Sequence, residues 1–495
     1  MRSYRWLAAL TLAGGLQGAV KLPALISDHM VLQSGMPVRI WGTADAGEAV
    51  RVAILGQTVN VTARENGKWE AWLRPLPAAG PLEMTVNDVT IHDVLVGEVW
   101  LGSGQSNMEF ALNNAVNHDQ EIANANYPLI HIFKVKRVVA DQPADDVQAK
   151  WEVCTPATMP RFSAVEYFFG RHLQETLHVP MGLIESDWGG TPAQSWTSKE
   201  ALANDPALKF ISDDWDRVLT NYPAVKQRYD QQLETWNQNV AKAKADGKTP
   251  PNRPALPAGP GHQNTPAGLY NGMIAPLTPY AIRGVIWYQG ESNATESHAY
   301  RYRRLFGDMI EDWRNRWGEG EIPFLFVQLA NYKSNQWWPV LRESQSETLR
   351  LRNTGMAVTI DVGESTDIHP KNKQDVGKRL ALAALHIAYG KALEYSGPMF
   401  QQAVVEGTAM RVYFTHADGM QARGGGSLTG FTVAGADGNF VPAEAKIEGG
   451  TIVVSSPSVA TPTAVRYAWA DDPVSNLVNQ AGIPASPFRS DQPRM

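Results

Sequence analysis

The sequence predicts an α/β fold flanked by two all-β regions, and two textures along the chain support this prediction. Between about residues 94 and 395, short apolar runs rich in β-branched and aromatic residues alternate with segments of helical spacing. This alternation predicts a parallel sheet that helices cover on both faces. Segments 20–93 and 396–495 show strand-like runs between turns rich in glycine, asparagine and proline, which are typical of β structure.

The chain begins with a short basic segment and an apolar run, which predict a signal peptide at residues 1–19 and a secreted or periplasmic protein. A buried first helix is the alternative. Segment 20–93 is predicted to form a small sandwich. Its clearest strand patterns are at 38–43, 50–55, 58–62 and 69–73.

The domain at 94–395 begins with a strand, a glycine turn and a polar helix-like run to about residue 125. Its other strands are predicted at 181–186, 282–288, 323–329 and 356–360, and its other helices at 167–177, 300–317 and 376–387. An insertion at about 200–265 is helical at first and ends in a proline- and glycine-rich tract that excludes regular structure.

Composition excludes several classes of function. The net charge of −6 argues against a nucleic-acid partner, which would need a basic patch. No further apolar run is long enough for a membrane span. Cys154 is the single cysteine, so an intrachain disulfide or a zinc–thiolate site is excluded. A neutral ligand fits this balance, and the 16 tryptophans offer flat faces that suit sugars.

Ser106 lies in the turn between the first predicted strand of the domain and its helix. Glycines at such a turn can leave a serine side chain exposed, with backbone N–H groups nearby to hold an oxyanion. The turn is not the G-x-S-x-G elbow, because Met108 occupies the position of the second glycine. A serine that only caps the helix is the alternative interpretation.

A serine nucleophile needs a base, and His369 lies on a loop after a predicted strand, where open α/β sheets build their sites. Asp367 shares a face with His369 in extended chain and can orient it. Asp361 and Glu364 are rivals on the same loop.

Two further loops follow predicted strands and suit an oxyanion hole. Gly189 and Gly190 can offer backbone N–H groups, and Gln289 can offer its side-chain amide. Plain turn glycines and a buried amide network are the alternatives.

Four ordered blocks together resemble the sialate O-acetylesterase-like branch of the SGNH hydrolases. They are Gly104-Gln105-Ser106-Asn107-Met108, Trp188-Gly189-Gly190-Thr191, Trp287-Tyr288-Gln289-Gly290-Glu291-Ser292-Asn293 and Asp367-Ile368-His369-Pro370. Segments 27–33, 465–469 and 484–488 resemble the same branch, so the likeness spans nearly the whole mature chain. The resemblance implies a flavodoxin-like three-layer α/β/α domain with accessory sandwich or jelly-roll-like β regions. It also implies hydrolysis of acetyl esters by a serine–histidine–acid triad, without metal or cofactor.

The resemblance also implies roles for residues. Ser106 would be the nucleophile, His369 the base and Asp367 the acid. The Ser106 N–H, Gly189 or Gly190, and Gln289 would form the oxyanion hole. We expect Gln105, Asn107, Trp188 and Glu291 to bind substrate. Two positions depart from the wider pattern: Thr366 stands where the acid is usual, and Gln289 stands where asparagine is usual. Because of the first departure, a dyad in which a backbone carbonyl orients His369 is the alternative to a triad.

The expected partner is an acetylated oligosaccharide, such as a xyloglucan or xylan fragment. O-acetylated sialic acid is the alternative, and it would need a partner for its carboxylate, with Arg161 and Arg283 as candidates. A glycoside hydrolase would need a carboxylate pair, for which the chain offers Glu109, Glu291, Asp361 and Glu364. A carbohydrate-binding protein without catalysis is the third class.

Overall fold

The computed structural model describes residues 20–334 and 336–491, so the predicted signal peptide at 1–19 lies outside the described residues. The described chain has a mixed α/β architecture with a central, mostly parallel sheet and additional antiparallel sheets, which confirms the predicted fold class at this level. The central sheet has seven strands: β7 (Val89–Gly104), β8 (Tyr127–Lys134), β9 (Trp151–Cys154), β10 (Met181–Asp187), β11 (Gly284–Tyr288), β12 (Phe324–Val327) and β13 (Thr354–Ala357).

The strand order in this sheet is β13-β12-β11-β7-β10-β8-β9. All neighbours are parallel except β8 and β9, which are antiparallel. When β7, β10, β11, β12 and β13 are numbered one to five, they have the 2-1-3-4-5 order of flavodoxin. Strands β8 and β9 extend the sheet beyond β10. Strand β7 is therefore central, and the chain leaves it in both directions.

The described helices are α1 (Ser106–Glu109), α2 (His118–Asn124), α3 (Ala164–Leu177), α4 (Lys199–Asn204), α5 (Lys209–Ala245), α6 (Tyr302–Trp317), α7 (Trp338–Glu347) and α8 (Lys373–Ile387). Helices α3 and α8 pack on one face of the central sheet, where Phe169 meets Trp100 edge to face at 5.0 Å. Helix α6 packs on the other face, where Trp313 meets Trp287 at 5.9 Å. The two helical layers bury the apolar strands from both sides.

The prediction of a helix-like run from the Ser106 turn to about residue 125 is wrong, because α1 ends at Glu109. The chain then leaves helical geometry and pairs with a distant loop, where Ala111 bridges Ser163. Asn117 has a left-handed backbone (φ 58°) just before α2 begins. Contacts with the 159–163 segment thus override the local helical pattern.

The N-terminal β region is continuous with the central sheet. Its strands are β1 (Val31–Gln33), β2 (Val38–Thr43), β3 (Ala49–Ile54), β4 (Gln57–Thr62), β5 (Lys68–Leu73) and β6 (Ala79–Val86). The first half of β7 pairs with β1 and β6, and its second half enters the parallel sheet. The boundary expected at residue 93/94 lies within this strand, and the buried side chains on both sides of it form one hydrophobic cluster.

The C-terminal β region has a hydrophobic cluster of its own. Its strands are β14 (Met399–Glu406), β15 (Ala409–Thr415), β16 (Gln421–Ala422), β17 (Phe431–Ala434), β18 (Val441–Pro442), β19 (Glu444–Glu448), β20 (Thr451–Ser455), β21 (Ala464–Tyr467), β22 (Leu477–Val478) and β23 (Phe488–Arg489). Two four-stranded antiparallel sheets, β14-β15-β20-β19 and β18-β17-β21-β23, enclose the cluster.

The insertion contains α4 and the long helix α5, whose buried side chains are Ile211 and Tyr229. The proline- and glycine-rich tract after α5 has no helix or strand between residues 248 and 267, as its composition predicts. Over residues 20–334 and 336–491, no helix combines the length and the apolar character that crossing a membrane requires.

Candidate active site

The predicted site residues meet at the carboxyl edge of the central sheet. Ser106 follows the end of β7, Gly189 follows the end of β10, and Gln289 comes directly after β11. His369 lies on the loop between β13 and α8. Because β7 lies between β10 and β11, the three loops converge at the switch point of the sheet, where open α/β folds bind their ligands.

Ser106 and His369 are in direct contact. The Oγ of Ser106 lies 2.8 Å from the Nε2 of His369, which is hydrogen-bond distance. Both side chains are only partly buried, so a ligand can reach them. The imidazole stacks near the ring of Phe110, with centroids 6.4 Å apart. A hydroxyl held against an imidazole in this way can act as a nucleophile whose proton the imidazole accepts.

Gly104 makes the turn before Ser106 possible. Its φ is +138°, and a Cβ at this position would lie 2.2 Å from the carbonyl oxygen of Tyr288. The N–H of Gln105 donates to the same carbonyl at 3.0 Å. Strands β7 and β11 thus approach too closely for any other residue, and this approach presents Ser106 at the start of α1.

Asp367 is the nearest of the three candidate acids to the imidazole. Its Oδ1 lies 3.7 Å from His369 Nδ1 and accepts the backbone N–H of His369 at 2.9 Å. Glu364 Oε1 instead accepts the N–H of Lys371 at 3.2 Å. Asp361 is held by Arg379, with contacts of 2.6 and 2.8 Å, and by a second arginine from the C-terminal region. Asp367 therefore faces His369, while the two rivals serve other contacts.

The environment of His369 lowers the pKa of its imidazole from the ordinary 6.5. Partial burial is the largest cause, and the charge of Lys373 acts in the same direction. The carboxylates of Asp367 and Glu109 oppose the shift. The lowered pKa widens, toward lower pH, the range in which the imidazole is neutral and able to accept a proton.

The N–H of Gly189 is already engaged. It donates to Oε2 of Glu109 at 2.6 Å, and a Cβ on Gly189 would lie only 3.2 Å from the Cβ of Ser106. The other oxygen of Glu109 pairs with Arg137, whose guanidinium lies 5.6 Å from the ring of Trp188. A carboxylate thus accepts a hydrogen bond beside Ser106 where an oxyanion would need one. Gly190, with φ +73°, is the exposed turn residue of this loop.

Glu109 and Arg137 extend the site beyond the residues predicted for the esterase. Glu109 stands three residues after Ser106, and the sequence offers it only as one carboxylate of a glycosidase pair. Arg137 lies in the loop after β8 and belongs to none of the recognised motifs. The position of Glu109 in the helix that follows Ser106 is a sequence signal that could have indicated its place in the site. No sequence signal indicates Arg137, which only the tertiary structure brings beside Glu109 at the open side of the site.

Gln289 lies in a buried amide network. Its Nε2 donates to Oδ1 of Asn293 at 2.7 Å, to Oε1 of Gln105 at 3.1 Å and to the Thr191 carbonyl at 3.2 Å, while its Oε1 accepts the Tyr302 hydroxyl at 2.9 Å. The side chain is fully buried. The amide of Gln289 is therefore satisfied within the protein and ties the loops that follow β7, β10 and β11 to one another.

Gln105, expected to bind substrate, is also part of this network. Its Oε1 accepts the N–H groups of Gly290 at 3.4 Å and Ser292 at 3.1 Å, in addition to the Gln289 amide. The side chain is buried. Gln105 thereby fixes the turn that carries Ser106 to the loop after β11.

Asn107 and Glu291, also expected to bind substrate, lie beneath Ser106. Asn107 Nδ2 donates to Glu291 Oε1 at 2.5 Å and to the carbonyl of Ile368 at 3.0 Å. Both side chains are buried, and burial raises the pKa of Glu291 despite its bond from Asn107. Contact with a sugar is not available to either side chain in this arrangement, because their polar groups face the protein interior.

Arg283, a candidate partner for a sialate carboxylate, lies at the wrong edge of the sheet. It precedes β11 and pairs with Glu98 at 2.6 Å, at the amino end of the parallel part of β7. Ser106 follows the opposite end of that strand. Arg283 therefore cannot contact a ligand held at Ser106, because the length of the strand separates them.

Three carboxyl groups are fully buried below α1, on the α3 side of the sheet. They belong to Glu166, Glu185 and Asp187, and Lys134 pairs with Glu185 at 2.5 Å. Burial raises the pKa of all three, and it raises those of Glu166 and Asp187 well above the ordinary values. Within the described residues, no group of three or more histidine, cysteine, aspartate or glutamate side chains is arranged to hold a metal ion.

Comparison with known proteins points to one enzyme family. The family model described as carbohydrate esterase, sialic acid-specific acetylesterase, matches residues 262–386, which include the Gln289 and His369 loops. The sialate O-acetylesterase of Mus musculus is 32% identical over 77% of this chain and 75% of its own length. The sialate O-acetylesterase of Rattus norvegicus is 31% identical over 94% of both chains.

A solved structure extends the likeness to the whole fold. The carbohydrate acetylesterase from Xanthomonas citri is 39% identical, with a TM-score of 0.82. The match covers 96% of this chain and 100% of that chain. The accessory β regions are therefore shared along with the central α/β domain.

Proposed function

Because the chain belongs to the sialate O-acetylesterase-like family of carbohydrate esterases, we propose that it removes O-acetyl groups from carbohydrate with Ser106 as the nucleophile and His369 as the general base. One observation carries the assignment of residues: the 2.8 Å contact between Ser106 Oγ and His369 Nε2, at the switch point of the sheet. This contact supports a serine-hydrolase mechanism, in keeping with the resemblance of the sequence blocks to the SGNH hydrolases.

In the proposed reaction, His369 Nε2 accepts the Ser106 proton as Oγ attacks the acetyl carbonyl carbon. The tetrahedral intermediate collapses, and the imidazolium gives its proton to the leaving sugar oxygen, so that the alcohol departs and an acetyl-serine remains. Water, deprotonated by the same imidazole, then attacks the acetyl-serine; the bond to Oγ breaks, the imidazolium returns its proton to Ser106 Oγ, and acetate is released. Asp367 stabilises the imidazolium through its carboxylate.

The proposed oxyanion hole uses backbone N–H groups of Ser106 and Gly189. For Gly189 to serve, the acetyl oxygen must replace the Glu109 carboxylate that its N–H binds in this structure. Arg137 already pairs with the other oxygen of Glu109 and can hold the displaced carboxylate. Gln289 supports the hole indirectly, by fixing the loops through its buried amide.

The charge around Ser106 favours a neutral sugar as the substrate. Glu109 and Asp367 both place carboxylates close enough to influence His369, and the charge of Arg137 is already paired with Glu109. These carboxylates would repel an anionic ligand at the open side of the site. We therefore propose acetylated neutral oligosaccharides, such as xyloglucan or xylan fragments, as the first substrate class.

O-acetylated sialic acid is the second candidate, because the matching family model and the rodent relatives name sialic acid. Its carboxylate would have to bind Arg137 in place of Glu109. Replacement of Arg137 by alanine should then raise the KM for an O-acetyl sialate by a larger factor than the KM for a neutral acetylated sugar.

The test is acetate release from acetylated xyloglucan, acetylated xylan and O-acetyl sialic acid, measured side by side with the wild-type enzyme and the Ser106→Ala variant. The substitution should lower kcat by about 10⁴-fold or more, as triad deletions do in other serine hydrolases. A Ser106→Ala enzyme with more than a tenth of wild-type activity would refute the nucleophile. Faster turnover of the sialate would overturn the preference for neutral sugars.

A further inference from the structure

Lys373, the first residue of α8, is fully buried directly behind the proposed catalytic pair. Its Nζ donates to Oδ1 of Asn107 at 2.5 Å. The ammonium also lies over two aromatic rings, 4.7 Å from the centroid of Phe110 and 5.1 Å from that of Tyr288. A lysine here is costly to the fold, because an ammonium loses its hydration on burial. Methionine would fill such a place without that cost.

The contact with Lys373 determines how the Asn107 amide is oriented. A lysine ammonium can only donate, so Oδ1 of Asn107 must face it. The Nδ2 group must then face the opposite side, where it donates to the Ile368 carbonyl at 3.0 Å and to Glu291 at 2.5 Å. Lys373 and the Ile368 carbonyl therefore enforce the same orientation, because the ammonium can only donate and must face Oδ1, whereas the carbonyl can only accept and must face Nδ2.

The hydrogen bond between Asn107 and Ile368 matters for the site because each of these residues is next to a proposed catalytic residue in the sequence. Asn107 follows Ser106 directly, and Ile368 precedes His369 directly. The bond from Asn107 to the Ile368 carbonyl thus joins the loop that carries the nucleophile to the loop that carries the base. These loops come from separate strands of the sheet, one after the central strand β7 and the other after the edge strand β13.

We propose that Lys373 is a positioning residue that, by orienting the Asn107 amide, holds Ser106 and His369 at hydrogen-bond distance. This inference rests on the proposed function, because it presupposes that Ser106 and His369 perform the chemistry. Lys373 itself contacts no reacting atom. The placement explains why a cation stands at the buried start of α8.

Lys373 should also influence the titration of His369. The groups that act on His369 come from three elements: Lys373 on α8 lowers its pKa, whereas Asp367 on its own loop and Glu109 on α1 raise it. Burial lowers the pKa of Lys373 to about 7, so the lysine carries its charge in the acidic range where His369 titrates. Removal of that charge should raise the pKa of His369.

The experiment compares Lys373→Met with Lys378→Met, which removes an exposed lysine from the same helix. Steady-state kinetics on an acetylated sugar, pH profiles of kcat/KM and thermal unfolding are measured for both variants and for the wild type. For Lys373→Met we expect kcat to fall about 10- to 100-fold, the usual effect of losing a hydrogen bond to a charged group. We expect KM to change less than about threefold, and the acidic inflection of kcat/KM to move to higher pH.

Lys378→Met should leave all of these quantities unchanged. A folded Lys373→Met enzyme with kcat within threefold of the wild type would overturn the proposal. A loss of kcat that only follows the folded fraction, with no shift of the inflection, would overturn it as well.

Asn107→Asp provides a second test if Lys373→Met does not fold. The aspartate keeps an oxygen for Lys373 but loses the N–H that binds the Ile368 carbonyl, so kcat should fall by a similar factor. Full activity of Asn107→Asp would overturn the proposal. Ser106→Ala is assayed in parallel: if it stays active, the proposed function fails, and if it is inactive while Lys373→Met and Asn107→Asp are fully active, only the positioning role fails.

Discussion

Replacement of Asp367 by asparagine should lower kcat/KM by only about 5- to 30-fold, far less than the loss expected for Ser106→Ala. The carboxylate lies 3.7 Å from His369 Nδ1, beyond a direct hydrogen bond, and instead accepts the backbone N–H of His369 at 2.9 Å. Asparagine can keep that backbone bond through its Oδ1. The variant therefore removes the charge and leaves the loop geometry in place.

The magnitude follows from the contact between Asp367 and the imidazolium that forms in the reaction. Two unit charges 3.7 Å apart attract each other by roughly 1–2 kcal/mol at effective dielectric constants of about 40–80. Values this high are appropriate because the side chains of His369 and Asp367 are 37% and 43% exposed, so water screens them. A tenfold change in rate corresponds to about 1.4 kcal/mol. The attraction therefore amounts to a factor of about 5 to 30.

The assay is the initial rate of acetate release over a range of substrate concentrations, at a pH where His369 is neutral in the free enzyme. Glu364→Gln is the matched control, because Glu364 lies on the same loop but its carboxylate binds the Lys371 N–H and does not contact His369. A loss below about twofold for Asp367→Asn would show that its charge does not assist the base. A loss near 10⁴-fold, as in proteases whose aspartate bonds the imidazole directly, would refute the separated geometry.

Three further predictions concern the same site and its support. Gly189→Ala should lower kcat/KM at least 100-fold in the acetate assay, because the added Cβ would lie 3.0 Å from Glu109 Oε2 and 3.2 Å from Ser106 Cβ. Activity within threefold of the wild type would contradict the proposed oxyanion hole. The kcat/KM of the wild type should rise with pH through a midpoint below about 6.5, the direction in which burial moves the pKa of His369, and a midpoint above that value would be inconsistent with the site. The pKa of Glu166 in the folded protein lies above its unfolded value, so its stabilising contribution is fully present below the unfolded pKa, about 4.3, and is lost as pH rises through the folded pKa. The Tm of Glu166→Gln should therefore gain on that of the wild type as pH rises from about 5 to 8, and a constant difference would rule this out.

The positions of the proposed catalytic residues were predictable because strand ends leave clear marks in the sequence. Ser106, Gly189 and Gln289 each follow an apolar run that is fully buried in the sheet. Parallel strands bring their carboxyl ends to one edge, so residues far apart in the chain could be expected to meet. The mixed α/β fold was predictable for the same reason, since buried strands and amphipathic helices have different periods.

The surroundings of these residues were not predictable, because they depend on contacts between distant segments. Strands β8 and β9 and helix α7 are not among the elements predicted from the sequence. The loop after β8 nevertheless brings Arg137 beside Glu109 at the open side of the site. Asn107 and Glu291 lie in the sequence blocks of the resemblance and are predicted from it to bind the sugar. The structure turns them inward because Lys373 and the Ile368 carbonyl satisfy the Asn107 amide. The motif alone could not show which way the amide points.

The balance of charges around His369 links the buried network to the open side of the site. Glu109 and Asp367 would make the imidazole a stronger base, yet burial and Lys373 outweigh them, so the pKa of His369 falls. Removal of Lys373 would therefore change two things together, the orientation of Asn107 and the basicity of His369. Glu109 acts on the pKa of His369 in the opposite direction to Lys373. Its carboxylate must also leave the Gly189 N–H before an oxyanion can bind there. When it leaves, one of the two charges that favour the imidazolium moves away, so sugar binding itself should make His369 a weaker base and a better proton donor to the leaving sugar oxygen.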